Sequence, residues 1–190
     1  AQLMNALGRE LDDSTFGFKL IDATPLTSYG KGGLATHTAP DLHAALDLIV
    51  DYSEVVLLLF FFDYHIEDEH VHIRVNTRYP LHEGYEIGVG AVAHSANQII
   101  GQFTNRSKNL ARICTRQISP TLKGALQAQT GATVESDADT DELIFSKHFL
   151  VLKNPQADPI TYGRLVADLD TELASLLSVD LREFVRMRVI

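Results

Sequence analysis

Hydrophobic and polar positions divide the chain into segments with helical spacing and segments with strand-like alternation. Apolar residues three or four apart predict amphipathic helices, and apolar residues at every second position predict half-buried strands. The helical segments are residues 1–11, the residues that follow Asp41, 83–103, 120–130 and 160–177. The strand-like segments are a hairpin within 55–77, a strand at 110–116 and two short strands between 131 and 146. This order predicts an α+β fold, in which several helices pack on a single mixed or antiparallel sheet that includes a β-hairpin.

Capping and breaking residues indicate where several elements begin and end. Asp41 follows a proline and is a suitable N-cap for the helix that begins after it. Pro120 lies near the start of a short helix, and Gly131 is placed to end that helix. The glycines at positions 30, 32 and 33 indicate a flexible turn.

The predicted hairpin separates apolar from polar side chains. With Glu67 and Asp68 as the turn, Tyr64 faces Val71 and Phe62 faces Ile73. One face is then wholly apolar: Phe60, Phe62, Tyr64, Val71, Ile73 and Val75. The other face carries Phe61, Asp63, His65, His70, His72 and Arg74. Burial of the apolar face, at roughly 1.5–3 kcal/mol per large side chain, is expected to fix this register.

The polar face of the hairpin is the most specific candidate site in the sequence, because it carries several histidine side chains and an aspartate. His70 and His72 share one face of their strand, and the hairpin places His65 and Asp63 opposite them. Imidazole and carboxylate ligands in this arrangement suit zinc or another transition metal, in a metal sensor or a metal-dependent enzyme. Two alternatives remain: a plain exposed face with a His–Asp pair, and the wall of a pocket for a small molecule.

Further polar residues are candidates for binding a small molecule. His94 and Gln98 lie four apart on one predicted helix and could point into a pocket or into solvent. Arg112 and Arg116 share a strand face and could hold a carboxylate, or pair with the acidic residues of the surface. The candidate effector-binding residues are His65, His72, Arg74, His94, Gln98 and Arg112.

Composition narrows the class of protein. The 190-residue chain is 45% hydrophobic, which is enough for one buried core. Its net charge of −9 argues against binding of nucleic acid by this chain on its own, since phosphate binding needs excess positive charge. Its single cysteine, Cys114, cannot form an internal disulfide and fits the cytoplasm. The longest apolar run, residues 55–62, is too short to cross a membrane, so no membrane association is expected. The chain begins in a helical pattern without methionine, which suggests a trimmed N-terminus.

Two segments of the chain resemble the effector-sensing N-terminal domain of AraC-family bacterial transcription regulators. The first segment opens with an aspartate and a glycine-bearing short helix, and continues through a glycine-rich turn into a helix. Its matching residues are Asp13, Gly17, Leu20, Gly30, Gly33, Leu34, Leu42, Ala45 and Leu46. The second has a strand ending in Phe, a leucine-bearing turn and an Ala-Asp-Pro that opens the last helix. Its matching residues are Leu143, Phe145, Phe149, Leu150, Ala157, Asp158 and Pro159.

The resemblance implies a regulatory domain rather than an enzyme, without a cofactor. It implies a small-metabolite or fatty-acid-like effector, often a homodimer, and contact with DNA only through a C-terminal domain. Residues 1–178 would form the sensing and dimerisation domain. Residues 179–190, whose last ten include three arginines and one glutamate, would form a linker and the start of a helix-turn-helix domain. No nucleophile elbow or phosphate-binding loop is visible in the sequence.

Overall fold

A computed structural model describes residues 2–57 and 59–188, without the side chains of residues 54–56 and 177–188. The helices are α1 (Gln2–Glu10), α2 (Phe16–Asp22), α3 (Gly30–Thr38), α4 (Leu42–Val56), α5 (Tyr85–Thr104), α6 (Pro120–Thr130) and α7 (Pro159–Arg188). The strands are β1 (Phe60–Glu67), β2 (His70–Thr77), β3 (Arg112–Cys114), β4 (Thr133–Glu135) and β5 (Asp141–Ser146). Short 3₁₀ helices lie at Leu26–Tyr29, His82–Gly84 and Lys147–Val151.

The five strands form one mixed sheet in the order β1-β2-β5-β3-β4. β1 pairs with β2, β2 with β5, and β5 with β3 in antiparallel fashion, whereas β3 and β4 are parallel. Strand β5 comes last along the chain but lies in the middle of the sheet. The predicted α+β fold with a single sheet is therefore confirmed.

The helices pack on one face of the sheet, called here the inner face. Buried residues at alternate positions of the strands, among them Val71, Ile73, Ile113, Leu143 and Phe145, meet apolar residues of α4, α5 and α6. The opposite, outer face carries the polar residues of the hairpin. The apolar and polar sets of hairpin side chains predicted from the alternation are thus confirmed.

The register of the hairpin differs from the predicted one by two residues. Tyr64 pairs with Ile73 and Phe62 with Val75, so the turn residues are Asp68 and Glu69. Asp68 adopts a left-handed conformation with φ of 51°, which aspartate tolerates better than most residues. A shift of two residues keeps every side chain on its predicted face, because the side-chain period of a strand is two.

The glycine-rich segment is helix α3 rather than the predicted flexible turn. Gly32 and Gly33 are buried within it, and the 3₁₀ helix Leu26–Tyr29 packs against it. A Cβ atom at position 33 would lie 1.9 Å from the carbonyl oxygen of Leu26. Glycine is used there for close packing, which overrides its weak helix propensity.

The predicted element ends are mostly confirmed. The Asp41 carboxylate accepts a hydrogen bond from the backbone N–H of Ala44 at 3.0 Å and caps α4, and Gly131 ends α6 with φ of 76°. Strand β3 is shorter than the predicted 110–116. Helix α7 extends beyond the predicted 160–177, so its backbone continues across residue 178. The division into a sensing domain and a following linker stays a prediction.

Candidate functional site

A cavity of about 780 Å³ lies between the inner face of the sheet and the surrounding helices. The strands supply one wall, α4 and α5 supply two others, and α2, α3 and the 3₁₀ helix Leu26–Tyr29 contribute further lining residues. Large apolar side chains dominate this lining: Leu20, Ile21, Leu26, Leu42, Leu46, Leu48, Ile49, Phe60, Phe62, Ile73, Val92, Ile99, Ile100, Leu143 and Phe145.

The regular spacing of each element creates this apolar wall. Phe60, Phe62 and Ile73 occupy alternate strand positions on the inner face. Val92, Ala96 and Ile99 follow one another at helical spacing on α5, so they share the face that looks toward the sheet. The cavity is therefore a partly open recess lined mainly by apolar side chains that continue the protein core.

A few hydroxyl groups interrupt the apolar lining. Thr36 donates its hydroxyl hydrogen bond to the Gly32 carbonyl at 2.9 Å, and Ser53 donates to the Val50 carbonyl at 3.0 Å, so both are used within their own helices. Tyr29 and Ser95 also line the cavity. Burial raises the pKa of the Tyr29 phenol, which stays neutral near pH 7. The cavity thus offers neutral hydroxyl groups to a mostly apolar molecule.

Tyr52 connects the cavity wall to the C-terminal helix. The Tyr52 ring lines the cavity, and its hydroxyl donates to the Asp170 carboxylate of α7 at 2.5 Å. Around this bond, Ala35 of α3 and Leu48 of α4 pack with Leu169 of α7. At the edge of this contact, the Lys31 ammonium group lies 2.7 Å from Glu172 and 3.2 Å from Asp168. Helices α3 and α4 consequently face the cavity on one side and α7 on the other.

The ionisation of Tyr52 reports on this contact. Burial and the hydrogen bond to Asp170 raise the Tyr52 pKa to about 12. The neutral phenol is favoured in the folded state, so its contribution to stability is present at neutral pH and is lost as the pH rises through about 12. We expect Asp170→Asn to lower the Tyr52 pKa, because the accepting carboxylate charge is removed.

Absorbance-monitored alkaline titration tests this expectation, with Tyr52→Phe identifying the contribution of this phenol among the six tyrosines. Asp168→Asn is the matched control. Asp168 lies on α7, as Asp170 does, but pairs with Lys31 of α3 and not with Tyr52. Identical titration curves for the wild type and Asp170→Asn would contradict the assigned bond.

The predicted effector-binding residues fall into two groups, neither of which lines the cavity. His65, His72, Arg74 and Arg112 lie on the outer face of the sheet. His72 Nδ1 is 3.6 Å from Glu142 Oε2, and Arg74 Nη2 is 3.7 Å from Glu142 Oε1. Arg112 lies on β3 and pairs with Glu135 at 3.5 Å. Arg74 and Arg112 are therefore each paired with a carboxylate of the outer face.

The second group, His94 and Gln98, joins α5 to α2. His94 Nε2 lies 2.7 Å from Asp22 Oδ1, and the Gln98 amide donates to the same oxygen at 2.8 Å. The His94 ring is buried beside Phe18, with 5.2 Å between ring centroids. This arrangement holds two helices of the cavity wall together without reaching into the cavity.

The metal-ligand set expected from the sequence is also divided. The ligand atoms of His65, Glu67 and His72 all lie within 4.8 Å of one another. Asp63 instead accepts a hydrogen bond from the Asn76 amide at 3.0 Å and lies 3.8 Å from Arg74. His70 is exposed and pairs across the strands with Glu67.

Comparisons with known proteins agree with this fold. The sequence model of the family described as the arabinose-binding domain of AraC transcription regulator, N-terminal, matches residues 1–154. The crystal structure of the transcriptional regulator CdpR from Pseudomonas aeruginosa matches with a TM-score of 0.72 and 14% identity, over 85% of this chain and 52% of that one. The chain thus spans about half the length of that relative. No curated protein sequence matched.

Proposed function

The chain belongs to the family of N-terminal arabinose-binding domains of AraC transcription regulators, and we propose that it senses an apolar small molecule in the cavity between sheet and helices. The observation that carries this proposal is the cavity itself, about 780 Å³ in volume and lined mainly by aliphatic and aromatic side chains. Ligand pockets commonly measure roughly 300–1,000 Å³. The family and the fold point to a regulatory ligand-binding domain rather than an enzyme.

The chemistry of the lining favours a fatty-acid-like effector. Burying apolar surface is favourable by roughly 25 cal/mol per Å², and walls made of residues such as Leu46, Phe62 and Ile99 supply that surface. A polar sugar would lose its hydrogen bonds to water there, at a cost of roughly 1–3 kcal/mol for each unpaired group. The neutral hydroxyls of Tyr29 and Ser95 can hold one polar end of a mostly apolar molecule.

Occupancy of the cavity can reach the C-terminal helix through α3 and α4. These two helices form cavity walls and also pack on Leu169 of α7. Tyr52 of α4 donates a hydrogen bond to Asp170 of the same helix as Leu169. A ligand that favours one position of α3 and α4 therefore favours one position of α7. Couplings of this kind typically amount to about 1–3 kcal/mol, which is enough to change how a following domain meets DNA.

The family also supports a proposal about the remaining partners. The domain acts as part of a longer, dimeric cytoplasmic regulator of bacteria, with DNA bound by a separate C-terminal domain. The net charge of −9 supports this division, since phosphate binding needs excess positive charge. Within the described residues, no helix is both long and apolar enough to cross a membrane.

Analytical ultracentrifugation tests the dimer, and a gel shift at physiological salt should show no sequence-specific binding of DNA by this chain.

A ligand screen by thermal shift tests the proposed effector class. Decanoate, palmitate and oleate are expected to raise the melting temperature, while arabinose and amino acids leave it unchanged. At ligand concentrations about 100 times the dissociation constant, the gain in unfolding free energy is roughly 2.7 kcal/mol. Ala96→Phe should abolish the gain, because the added ring projects from α5 into the cavity.

Ala128→Phe is the matched control, because Ala128 is an exposed position of α6 away from the cavity. It should keep the full ligand-induced shift. Stabilisation by fatty acids that survives in Ala96→Phe would place their binding elsewhere and overturn the assigned cavity.

A further inference from the structure

We propose that the outer face of the sheet binds a divalent transition metal ion, such as Zn²⁺, through His65, Glu67 and His72. This site lies on the face opposite the cavity and shares no residue with the cavity lining. Two imidazoles and one carboxylate are a donor set that zinc uses with water as a fourth ligand.

The hairpin register brings the three ligands together. His65 and His72 are directly opposed across β1 and β2, and their ring centroids are 4.9 Å apart. Glu67 lies two residues after His65 on the same side of β1, and its Oε2 is 4.0 Å from His72 Nε2. All three ligand atoms lie within 4.8 Å of one another. Ligands of a tetrahedral zinc ion stand roughly 3.3–3.6 Å apart, given bonds of about 2.0–2.2 Å, so small rotations of the exposed His65 and Glu67 are sufficient.

Glu142 lies within ion-pair distance of the His72 nitrogen that faces away from the proposed metal. Glu142 Oε2 lies 3.6 Å from His72 Nδ1, on the side of the ring away from Glu67. Arg74 in turn lies 3.7 Å from the other oxygen of this carboxylate. If metal binding brings this carboxylate within hydrogen-bond distance of Nδ1, the Nδ1–H tautomer leaves Nε2 free to bind the metal. Such supporting partners typically change metal affinity 10–100-fold. The side chains of His72 and Glu142 are only 12% and 17% exposed, which limits their motion.

The same register explains why this ligand set differs from the one expected from the sequence. A turn at Glu67–Asp68 would place His70 opposite His65 and His72 opposite Asp63. The observed turn at Asp68–Glu69 places His72 opposite His65 and Arg74 opposite Asp63. Asp63 is then engaged by Asn76 and Arg74, and Glu67 becomes available as the third ligand.

Isothermal titration calorimetry of the untagged chain with ZnCl₂ tests the site. We expect the wild type to bind one zinc ion per chain. The dissociation constant for zinc should rise at least ~10-fold over the wild type in the ligand variants His65→Ala, Glu67→Gln and His72→Ala. Glu142→Gln should raise it about 10–100-fold. His70→Ala and Asp63→Asn are the matched controls on the same face and should bind as the wild type does. Thermal melts confirm that each variant folds.

Absence of saturable zinc binding by the folded wild type would overturn the site. So would a loss in His70→Ala as large as that in His72→Ala, since this would indicate scattered surface histidines. Neither result affects the cavity, whose test uses fatty acids and Ala96→Phe.

Discussion

Replacing Asp141 by alanine is expected to lower the free energy of unfolding by about 3 kcal/mol. The Asp141 carboxylate is buried at the start of β5 and accepts hydrogen bonds from the Tyr85 hydroxyl at 2.5 Å and the Arg116 backbone N–H at 3.0 Å. The Arg116 guanidinium donates a third, at 2.8 Å. Hydrogen bonds to charged groups contribute roughly 1.5–3 kcal/mol each. The Arg116 side chain is half exposed, so in the variant its guanidinium can hydrogen-bond to water. The expected loss is therefore smaller than the sum of the three bonds.

Urea denaturation curves and thermal melts measure this loss, which corresponds to roughly 6–12 °C for a chain of this size. Asp139→Ala is the matched control, because Asp139 is an exposed acid of the loop before β5. Tyr85→Phe removes a single bond of the three and should cost less than Asp141→Ala. If Asp141→Ala is as stable as Asp139→Ala, this carboxylate does not join α5 and β5 to the segment that follows β3.

The sequence predicts most of the fold because local signals and burial agree. Asp41 has both the position and the side chain of an N-cap, and the structure shows its bond to Ala44. The faces of the hairpin follow from alternation alone. Its register does not, because shifts of two residues leave the apolar face intact, and the turn depends on whether Asp68 or Glu67 takes the left-handed conformation.

The cavity could not be predicted from the sequence for a physical reason. Residues that line it, such as Leu46 and Val92, obey the same periodicity as residues that fill the core. Whether an apolar face meets another side chain or a cavity depends on the spacing of helices, which the pattern does not encode. In the sequence, His94 is a candidate for effector binding because it is a polar residue on a predicted helix. In the structure it instead joins α5 to Asp22 of α2.

Replacing Gly33 by alanine is expected to lower the free energy of unfolding by about 1–3 kcal/mol through overpacking. An added Cβ would lie 1.9 Å from the Leu26 carbonyl oxygen and 2.9 Å from its carbon. These are backbone atoms, so the 3₁₀ helix Leu26–Tyr29 and α3 must separate. Because Leu26 and Gly33 both line the cavity, the variant should also bind fatty acids more weakly than the wild type.

Gly124→Ala is the matched control that isolates packing from helix propensity. Gly124 lies within α6, and a Cβ there meets nothing within 4 Å. Alanine should therefore stabilise the protein at position 124 by about 0.5–1 kcal/mol. Intrinsic propensity alone predicts a gain at both positions, whereas close packing predicts opposite signs. Urea denaturation of the two variants distinguishes these explanations, and a gain at position 33 would show that α3 does not need its glycine for contact with Leu26.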